Sequence, residues 1–342
     1  MGRLLYPGAL GFSSKKLFGK KASGPNTGPQ VWTQQPWGIS VGNALFCNNF
    51  SRNTSGSVIW LGTNDGGGNF MRSTDGGNTW KEVGPVWYAI QYPNEIGGDG
   101  VGAGVSGEQL VYTSTDGGVT WTQYGDTYIG LNEPLNAAVF NTGAGWVAVS
   151  VYPGAGGSIY TGLPTYFQWT KNAYVPNNGA NATCFDGTNI GALGQDANNV
   201  KAIMQITGAG AVTSYPITYN THSWNWISAN AGSYVVGAND SNYVLIGTSF
   251  ETCAAATPIA VPVNDGSNYL QGVVVDIAGF IFVWSSAGSV YFTTDGGATW
   301  QEDIVPWSHT SAFPTIIPDM VATQNGLCCS FLSKTVGLRP LG

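Results

Sequence analysis

One eight-residue pattern recurs three times in this 342-residue chain and constrains its fold more than any other feature. Each copy runs Ser or Thr, Thr, Asp, Gly, Gly, a variable residue, Thr and Trp. Strand-like runs flank the pattern, and strand, Asp-Gly-Gly, strand is the sequence form of a β-hairpin. The defining residues are Ser73, Asp75, Gly77, Thr79 and Trp80; Ser114, Asp116, Gly118, Thr120 and Trp121; and Thr293, Asp295, Gly297, Thr299 and Trp300.

The chemistry of this pattern is local. Its Asp carboxylate is placed to accept hydrogen bonds from backbone N–H groups a few residues further on, and the Ser or Thr hydroxyl adds another. The glycines permit positive φ angles at little steric cost. The Trp opens the next strand and buries a large ring whose N–H needs a partner. The pattern is therefore a folding device, and we expect no catalytic role for its Asp.

The three copies resemble the Asp-box (BNR) repeat, S/T-x-D-x-G-x-T-W. That repeat occurs in sialidases, sortilin-type receptors, some glycoside hydrolases, photosystem II assembly factors and many phage proteins. In this family the box lies on the rim of a β-propeller, at the hairpin between the outer two strands of a blade and usually away from the ligand face. The resemblance implies an all-β fold, a single propeller, and a structural role for the box residues.

Tryptophan spacing predicts the number of blades. Trp80 and Trp121 are about 41 residues apart, which is typical of propeller repeats. Degenerate copies of the pattern fill the gap before Trp300, and residues 31–34 resemble the strand that follows a box. We predict that this N-terminal segment closes the ring together with C-terminal strands, which removes exposed edges. Seven blades follow, with six as the alternative; their markers are Trp80, Trp121, Trp169, Trp226, an unmarked unit over 243–263, Trp300 and the mixed closing blade.

Composition supports many short strands. Only 9% of the residues are charged, 13% are aromatic, and the chain has 50 Gly and 13 Trp. Abundant Gly and aromatic residues with little charge favour strands joined by tight turns and argue against intrinsic disorder. No amphipathic helix of about 12 or more residues is predicted.

Residues 1–30 have the character of an extended basic arm, and residues 31–342 that of the propeller. The arm holds five of the twelve basic residues, which leaves the remaining chain with 7 basic against 19 acidic residues. So acidic a body should repel nucleic acid and anionic membranes. The arm suits attachment to an acidic neighbour, and the residues expected to make that contact are Arg3, Lys15, Lys16, Leu17, Phe18, Lys20 and Lys21.

Targeting and cysteine signals are sparse. No stretch approaches the roughly 20 apolar residues that span a bilayer, and we expect no export signal because Pro7, Lys15 and Lys16 interrupt the N-terminal apolar run. Five cysteines are an odd number without a small-domain disulfide framework, so we interpret them as buried thiols.

Several enzymatic sites are excluded by residue counts. A sialidase needs three arginines around the substrate carboxylate, but this chain has four in all: Arg3, Arg52, Arg72 and Arg339. Of these, Arg3 lies in the arm, Arg72 beside a box and Arg339 near the C-terminus. The two histidines, His222 and His309, match no familiar zinc spacing with the cysteines. We therefore predict no catalytic residue, no cofactor and no metal.

Carboxylates keep one enzymatic alternative open. A glycan-active hydrolase needs an acidic pair across the propeller funnel, roughly 5–10 Å apart. The candidate acids stand in no recognisable motif and are more typical of turns or solvated charges: Glu95, Asp99, Asp126, Glu133, Asp186, Asp240 and Asp276. Loops at 64–69, 239–242 and 264–268 offer oxygens to Ca²⁺ but lack the bidentate Glu of a full calcium loop, so turn formation explains them better.

These observations favour a non-enzymatic component of a bacteriophage particle. The expected setting is the virion, where a tail-associated propeller made in the host cytoplasm scaffolds other virion proteins or contacts a glycan or protein on the host surface. This setting rests on composition and on analogy of fold. The alternatives are the glycan-active hydrolase and a propeller like the photosystem II assembly factors.

Overall fold

The structure, a computed structural model, describes most of the C-terminal half and the strands of the N-terminal half. Almost every described residue belongs to a strand or to the turn between two strands. The described residues are 28–36, 47–52, 56–63, 70–83, 102–105, 111–114, 119, 122–124, 137–141, 146–150, 159–162, 170–171, 180–196, 198–267, 269–306, 319–330 and 335–340.

The described strands form seven antiparallel sheets, which we number in chain order. After β1 (Thr33–Pro36), the first three sheets are sheet 1, with β2 (Cys47–Arg52), β3 (Ile59–Thr63), β4 (Phe70–Ser73) and β5 (Lys81–Glu82); sheet 2, with β6 (Gly102–Val105), β7 (Val111–Ser114) and β8 (Thr122–Tyr124); and sheet 3, with β9 (Ala137–Asn141), β10 (Trp146–Ser150), β11 (Ile159–Gly162) and β12 (Thr170–Lys171).

Sheets 4 to 6 repeat this up-and-down order, in which each strand pairs with the next along the chain. They are sheet 4, with β13 (Ala180–Phe185), β14 (Ile190–Gln195), β15 (Lys201–Ile206) and β16 (Val212–Pro216); sheet 5, with β17 (Trp224–Asn230), β18 (Ser233–Ala238), β19 (Tyr243–Gly247) and β20 (Ile259–Ala260); and sheet 6, with β21 (Leu270–Val275), β22 (Ile281–Ser285), β23 (Val290–Thr293) and β24 (Gln301–Glu302).

Sheet 7 is built from both ends of the chain. Its strands β25 (Met320–Thr323), β26 (Gly326–Ser330) and β27 (Thr335–Pro340) follow one another, and β1 pairs antiparallel with β27 at the edge. The register places Thr33 opposite Leu338 and Pro36 opposite Thr335. Pro36 lacks a backbone N–H, so its place on this edge strand is the one that a proline tolerates.

The core lies between consecutive sheets. The first strands of neighbouring sheets contact one another along the series β13, β17, β21, β25 and β2, so these strands lie at the inner side. Every residue of β22 and β23 is buried, because neighbouring sheets cover both faces. Sheet 7 packs on two partners: Met320 and Leu327 join the core of sheet 6, while Val321 and Val336 join that of sheet 1.

One of the predicted blade markers was wrong. Trp226 lies in β17, the first strand of sheet 5, rather than in the outer strand of sheet 4. The outer strand of sheet 4 is β16, which contains no Trp. The apolar run from Ile217 that suggested a hairpin belongs to the connection between the two sheets, and the indole of the buried Trp224 donates to the carbonyl of Tyr219 there, at 2.8 Å.

The unmarked fifth unit contains a short helix, α1 (Phe250–Ala254), between β19 and β20. The Ser249 side chain caps its first turn by accepting from the backbone N–H of Thr252, which completes a capping box. Phe250 is buried against Gly191 of sheet 4. The helix thus occupies the position between the third and fourth strands that carries a box in sheets 1 and 6. Across the described residues, none of the helical segments has the length and apolar character to cross a membrane.

Candidate functional site

The box of sheet 1 forms the hydrogen bonds that its sequence predicts. Ser73 Oγ donates to Asp75 at 2.8 Å and accepts from the backbone N–H of Gly77 at 2.9 Å. The Asp75 carboxylate accepts from the backbone N–H of Thr79 at 2.8 Å and from its hydroxyl at 2.6 Å. The indole of Trp80 donates to the Gly77 carbonyl at 2.9 Å, which completes the turn.

The box of sheet 6 repeats the hydrogen bonds around its Asp, but the indole N–H of Trp300 has no hydrogen-bond partner among the described residues. Thr293 replaces Ser73 and donates to Asp295 at 2.8 Å, while Thr299 donates to the same carboxylate through its backbone N–H at 2.9 Å and its hydroxyl at 2.6 Å. Hydrogen bonds from Thr299 and Thr293 lower the pKa of Asp295 to about 2. Burial acts against this shift at Asp75, but its hydrogen bonds still hold the pKa below the usual range. Of the middle copy only Ser114 and Val119 are described, so Asp116, Gly118, Thr120 and Trp121 lie outside the described residues.

Each described box also packs on a second sheet. A Cβ on Gly77 would lie 2.9 Å from both Cys328 and Leu338 of sheet 7. A Cβ on Gly297 would lie 3.0 Å from Ile246 and Ile259 of sheet 5. The boxes therefore need their second glycine for close approach between sheets as well as for its positive φ angle.

The contact between sheets 1 and 7 has further hydrogen bonds of its own. The Asn325 side chain, at the β25–β26 turn, donates to the Asp75 carbonyl at 3.1 Å. The neighbouring backbone N–H of Gln324 donates to the carbonyl of Gly56 at 2.9 Å. These bonds join the first sheet in the chain to the last.

A buried carboxylate joins sheet 6 to sheet 7. Asp303 accepts from Arg339 Nε of β27 at 2.7 Å, from the indole of Trp32 at 2.9 Å, and from the backbone N–H of Gln30 at 2.8 Å. The side chains of Asp303 and Arg339 are 0% and 2% exposed. Three chain segments that are distant in sequence therefore meet at one anion. From the sequence, Arg339 was recognisable only as an arginine near the C-terminus. No local motif marked Asp303 as its partner.

The residues predicted for the arm contact fall outside the described part of the chain. These are Arg3, Lys15, Lys16, Leu17, Phe18, Lys20 and Lys21. Residues 28–30, which we predicted to belong to the arm, are described. The backbone N–H of Gln30 donates to Asp303, which directly follows β24 of sheet 6. Val31 and Ile304 form a parallel bridge beside it.

Three of the seven candidate acids for a hydrolase are described, and they take part in turns and connections. Asp186 accepts from Tyr234 at 2.8 Å, and Asp240 accepts from the backbone N–H of Ser223 at 2.8 Å. Asp276 is buried, which raises its pKa, and it accepts from Phe280 and Ala278 in a hairpin turn. The remaining candidates, Glu95, Asp99, Asp126 and Glu133, lie outside the described residues, as does His309.

His222 does not form a catalytic triad with its neighbours. Its Nδ1 atom lies 3.2 Å from the Ser241 hydroxyl and 3.6 Å from Asp240. A triad needs the acid and the nucleophile on opposite ring nitrogens, whereas here both face the same one. The ring stacks on Tyr243 with 4.9 Å between centroids, so its contacts join a loop to a sheet.

The described residues contain no cluster of three or more His, Cys, Asp or Glu side chains suited to a metal ion. The side chains of four of the five cysteines are described, and all four are buried thiols, as expected: Cys184, Cys253, Cys328 and Cys329. Burial raises the pKa of Cys253 to about 12, so this thiol is protonated at neutral pH and is a poor metal ligand.

Solved structures that resemble this chain are β-propellers. A structure of YCF48 bound to a D1 peptide has a TM-score of 0.66 and 14% identity, covering 91% of this chain and 97% of that chain. YCF48 from Cyanidioschyzon merolae has a TM-score of 0.61 and 15% identity, covering 90% and 98%. A streptogramin B lyase has a TM-score of 0.58 and 14% identity, covering 91% and 98%.

At these identities the likeness shows the fold alone. This chain is an all-β protein of antiparallel, mostly four-stranded sheets with the architecture of a propeller. No protein-family model matches the sequence. No curated protein sequence matches it either.

Proposed function

We propose that this chain is a non-enzymatic propeller that binds other proteins as a rigid component of an assembly. The observation that carries the proposal is that buried acidic and basic side chains in the described part of the chain join sheets and turns to one another. Asp303 and Arg339 join two sheets through a buried ion pair, and Asp276 holds a hairpin turn. Charges used in this way stiffen a scaffold, since breaking them leaves a buried group without its partner. One structural neighbour, YCF48, is bound to a D1 peptide, which supports a binding role for the fold.

The architecture that we propose is a seven-bladed ring closed by sheet 7. Two observations support it: β1 from the N-terminus completes the sheet of β25–β27, and this sheet packs on both sheet 6 and sheet 1. A ring closed in this way leaves only the outer strand of each sheet as an edge.

The setting that we propose is a bacteriophage particle, with the propeller associated with the tail. Low charge, many aromatic residues and buried thiols suit a protein made in a cytoplasm and used outside it. The basic arm would leave the rim beside Asp303, where Gln30 is fixed, and reach an acidic virion neighbour from there. The propeller body would scaffold this neighbour or contact a glycan or protein on the host surface.

Purified virions provide the direct test. If the proposal is right, this chain copurifies with particles through a density gradient in a fixed ratio to a known tail protein. Deleting residues 1–27 should remove it from particles but leave the melting temperature of the isolated propeller unchanged, because the hydrogen bond from Gln30 to Asp303 and the Val31–Ile304 bridge remain. Absence of the chain from washed particles contradicts the virion setting.

A second candidate is a propeller that acts like the photosystem II assembly factors. The observation in its favour is the structural likeness to YCF48 over 91% of the chain. Anisotropy of a fluorescent D1 peptide tests it: saturable binding that a scrambled peptide does not reproduce supports this candidate over the virion component.

The glycan-active hydrolase remains the third candidate function. Its test is whether the protein hydrolyses any member of a panel of oligosaccharides.

A further inference from the structure

The outer strand of sheet 4 is longer than that of any other described sheet. β16 has five residues, the outer strand of sheet 7 has four, and those of sheets 1, 2, 3, 5 and 6 have two or three. It pairs with β15 on one side, and within the described part of the chain no strand pairs with its other side. A long unpaired edge of this kind offers backbone N–H and C=O groups to a further strand.

The register of β16 determines which backbone groups point outward. The backbone N–H of Ile217, just after the strand, donates to the Lys201 carbonyl of β15 at 2.9 Å. Because the two sides of a strand alternate in antiparallel pairing, every second residue back from Ile217 also bonds to β15. The N–H and C=O groups of Val212 and Ser214, which lie between these residues, therefore point away from the sheet.

The edge lies in a part of the chain that carries no fixed charge. Residues 202–239 contain no Asp, Glu, Lys or Arg, although the whole chain has a net charge of −7. Edge strands are commonly protected from one another by charged side chains, and β16 has none. Thr213, in its middle, is exposed. Two copies of this acidic chain can therefore bring these strands together without like-charge repulsion between them.

We propose that β16 pairs antiparallel with β16 of a second copy of this chain, which makes one continuous sheet from the two copies of sheet 4. A two-fold axis beside Thr213 places Val212 of each copy opposite Ser214 of the other, so the outward N–H and C=O groups of both residues find partners reciprocally. The two Thr213 side chains then lie directly opposite one another, as a cross-strand pair. Pro216 has no N–H to donate, so the pairing ends before it.

Another outer edge of the same protein already takes up an extended segment. Ile304, two residues after β24 of sheet 6, donates its backbone N–H to the Gln30 carbonyl and accepts from the backbone N–H of Trp32, both at 2.9 Å. Residues 30–32 therefore extend the outer side of sheet 6 in parallel. The β16 edge is complementary to itself, so a second copy fits it without any further segment. The paired strands are short, so we expect a weak dimer, with a Kd on the order of micromolar or above.

Analytical ultracentrifugation of the full chain tests this pairing. The sedimentation coefficient should rise with protein concentration from that of a monomer toward that of a dimer. Thr213→Lys places two like charges opposite one another and should raise the Kd about tenfold or more. Thr188→Lys is the matched control, because it adds the same charge at an exposed position in the β13–β14 hairpin of the same sheet, away from the outer edge. It should dimerise like the unchanged chain. A chain that stays monomeric throughout, or a Thr213→Lys variant that dimerises normally, overturns the proposal.

Amide hydrogen exchange, resolved residue by residue, provides a measurement that needs no substitution. The N–H groups of Val212 and Ser214 should exchange more slowly as the protein concentration rises, whereas that of Thr213, which faces β15, should be protected at every concentration. Ser214→Pro removes an outward donor without removing a bond to β15, and edge strands tolerate proline. This variant should keep the melting temperature of the unchanged chain and lose the dimer. Exchange at Val212 and Ser214 that does not depend on concentration would mean that copies do not meet at this edge.

Discussion

The Asp303 carboxylate lies 2.7 Å from Nε of Arg339, and both side chains are excluded from solvent. The guanidinium also lies over two aromatic rings, 4.7 Å from the centroid of Phe282 and 5.0 Å from that of Phe292. Because Trp32 donates to the same carboxylate, the ion pair holds the N-terminal strand and the C-terminal strand on sheet 6 together. We infer that sheet 7 depends on this pair for its attachment.

Arg339→Met should therefore destabilise the protein strongly. It leaves the Asp303 carboxylate buried without a cation, which costs about 3–5 kcal/mol in the free energy of unfolding. Urea denaturation followed by tryptophan fluorescence measures this loss. Glu302→Gln, one residue away on the exposed side of β24, is the matched control and should change stability by less than about 0.5 kcal/mol. If Asp303→Asn combined with Arg339→Met costs as much as the two single changes added together, the two residues do not act as a pair.

Asp295 should contribute a pH-dependent part of the stability. Its pKa is lowered from 3.8 to about 2, so the folded state binds its proton less readily than the unfolded chain does. The contribution is therefore complete above about pH 4 and is lost as the pH falls through about 2. Carboxyl NMR titration should give the low midpoint directly. Asp295→Asn should flatten the acid limb of the stability profile, whereas an unchanged limb contradicts the hydrogen-bond pattern.

The two glycines of the sheet 6 box should respond differently to alanine. Both have positive φ angles, 70° at Gly296 and 90° at Gly297. Gly296→Ala meets no atom within 4 Å, so only the backbone penalty of about 1–2 kcal/mol applies. Gly297→Ala also presses against Ile246 and Ile259, which adds about 1–3 kcal/mol. Equal losses in chemical denaturation would mean that the box does not pack on sheet 5.

Ala231 is a site where a substitution should increase stability. It has a φ angle of 48° in the turn between β17 and β18 and precedes Gly232, whose φ angle is 80°. Two consecutive positive φ angles are typical of a type I′ hairpin turn, which favours Asn-Gly. Ala231→Asn should therefore add about 0.5–1 kcal/mol to the free energy of unfolding. Gly232→Ala is the opposite control and should lower it.

Gly191 and Phe250 should be coupled. A Cβ on Gly191 would lie 2.2 Å from the Phe250 ring, so Gly191→Ala forces the ring of α1 away from sheet 4. We expect a loss of about 1–3 kcal/mol. Phe250→Leu makes room for the added methyl group, so the double variant should lose less than the sum of the single changes. Strictly additive losses in a double-mutant cycle would contradict this contact.

The box hairpins were predictable from the sequence because their partners lie close together in the chain. The hydrogen bonds from Thr79 and Gly77 to Asp75 and Ser73 span only four residues. Such short-range bonds form in nearly any surrounding fold, so the residue types alone indicate the turn. The basic arm lies outside the described residues, and its role stays a prediction.

Trp226 shows the limit of this reasoning. A tryptophan after an apolar run is compatible with an outer strand or with a first strand, and only the pairing of β17 with β18 decides between them. In the same way, nothing in the residues of α1 indicates that a helix takes the place of a box. Its position depends on Phe250 finding the space above Gly191, which lies in another sheet.

The sequence by itself determined the repeating hairpin, since each box contains its own donors and acceptors within eight residues. Only the tertiary structure decided which distant groups meet. Asp303 accepts from Trp32 across 271 positions of the chain, and Asp265 accepts from Ser285 across 20. These contacts depend on which sheets become neighbours, and that choice follows from burial of whole sheet faces rather than from any local pattern.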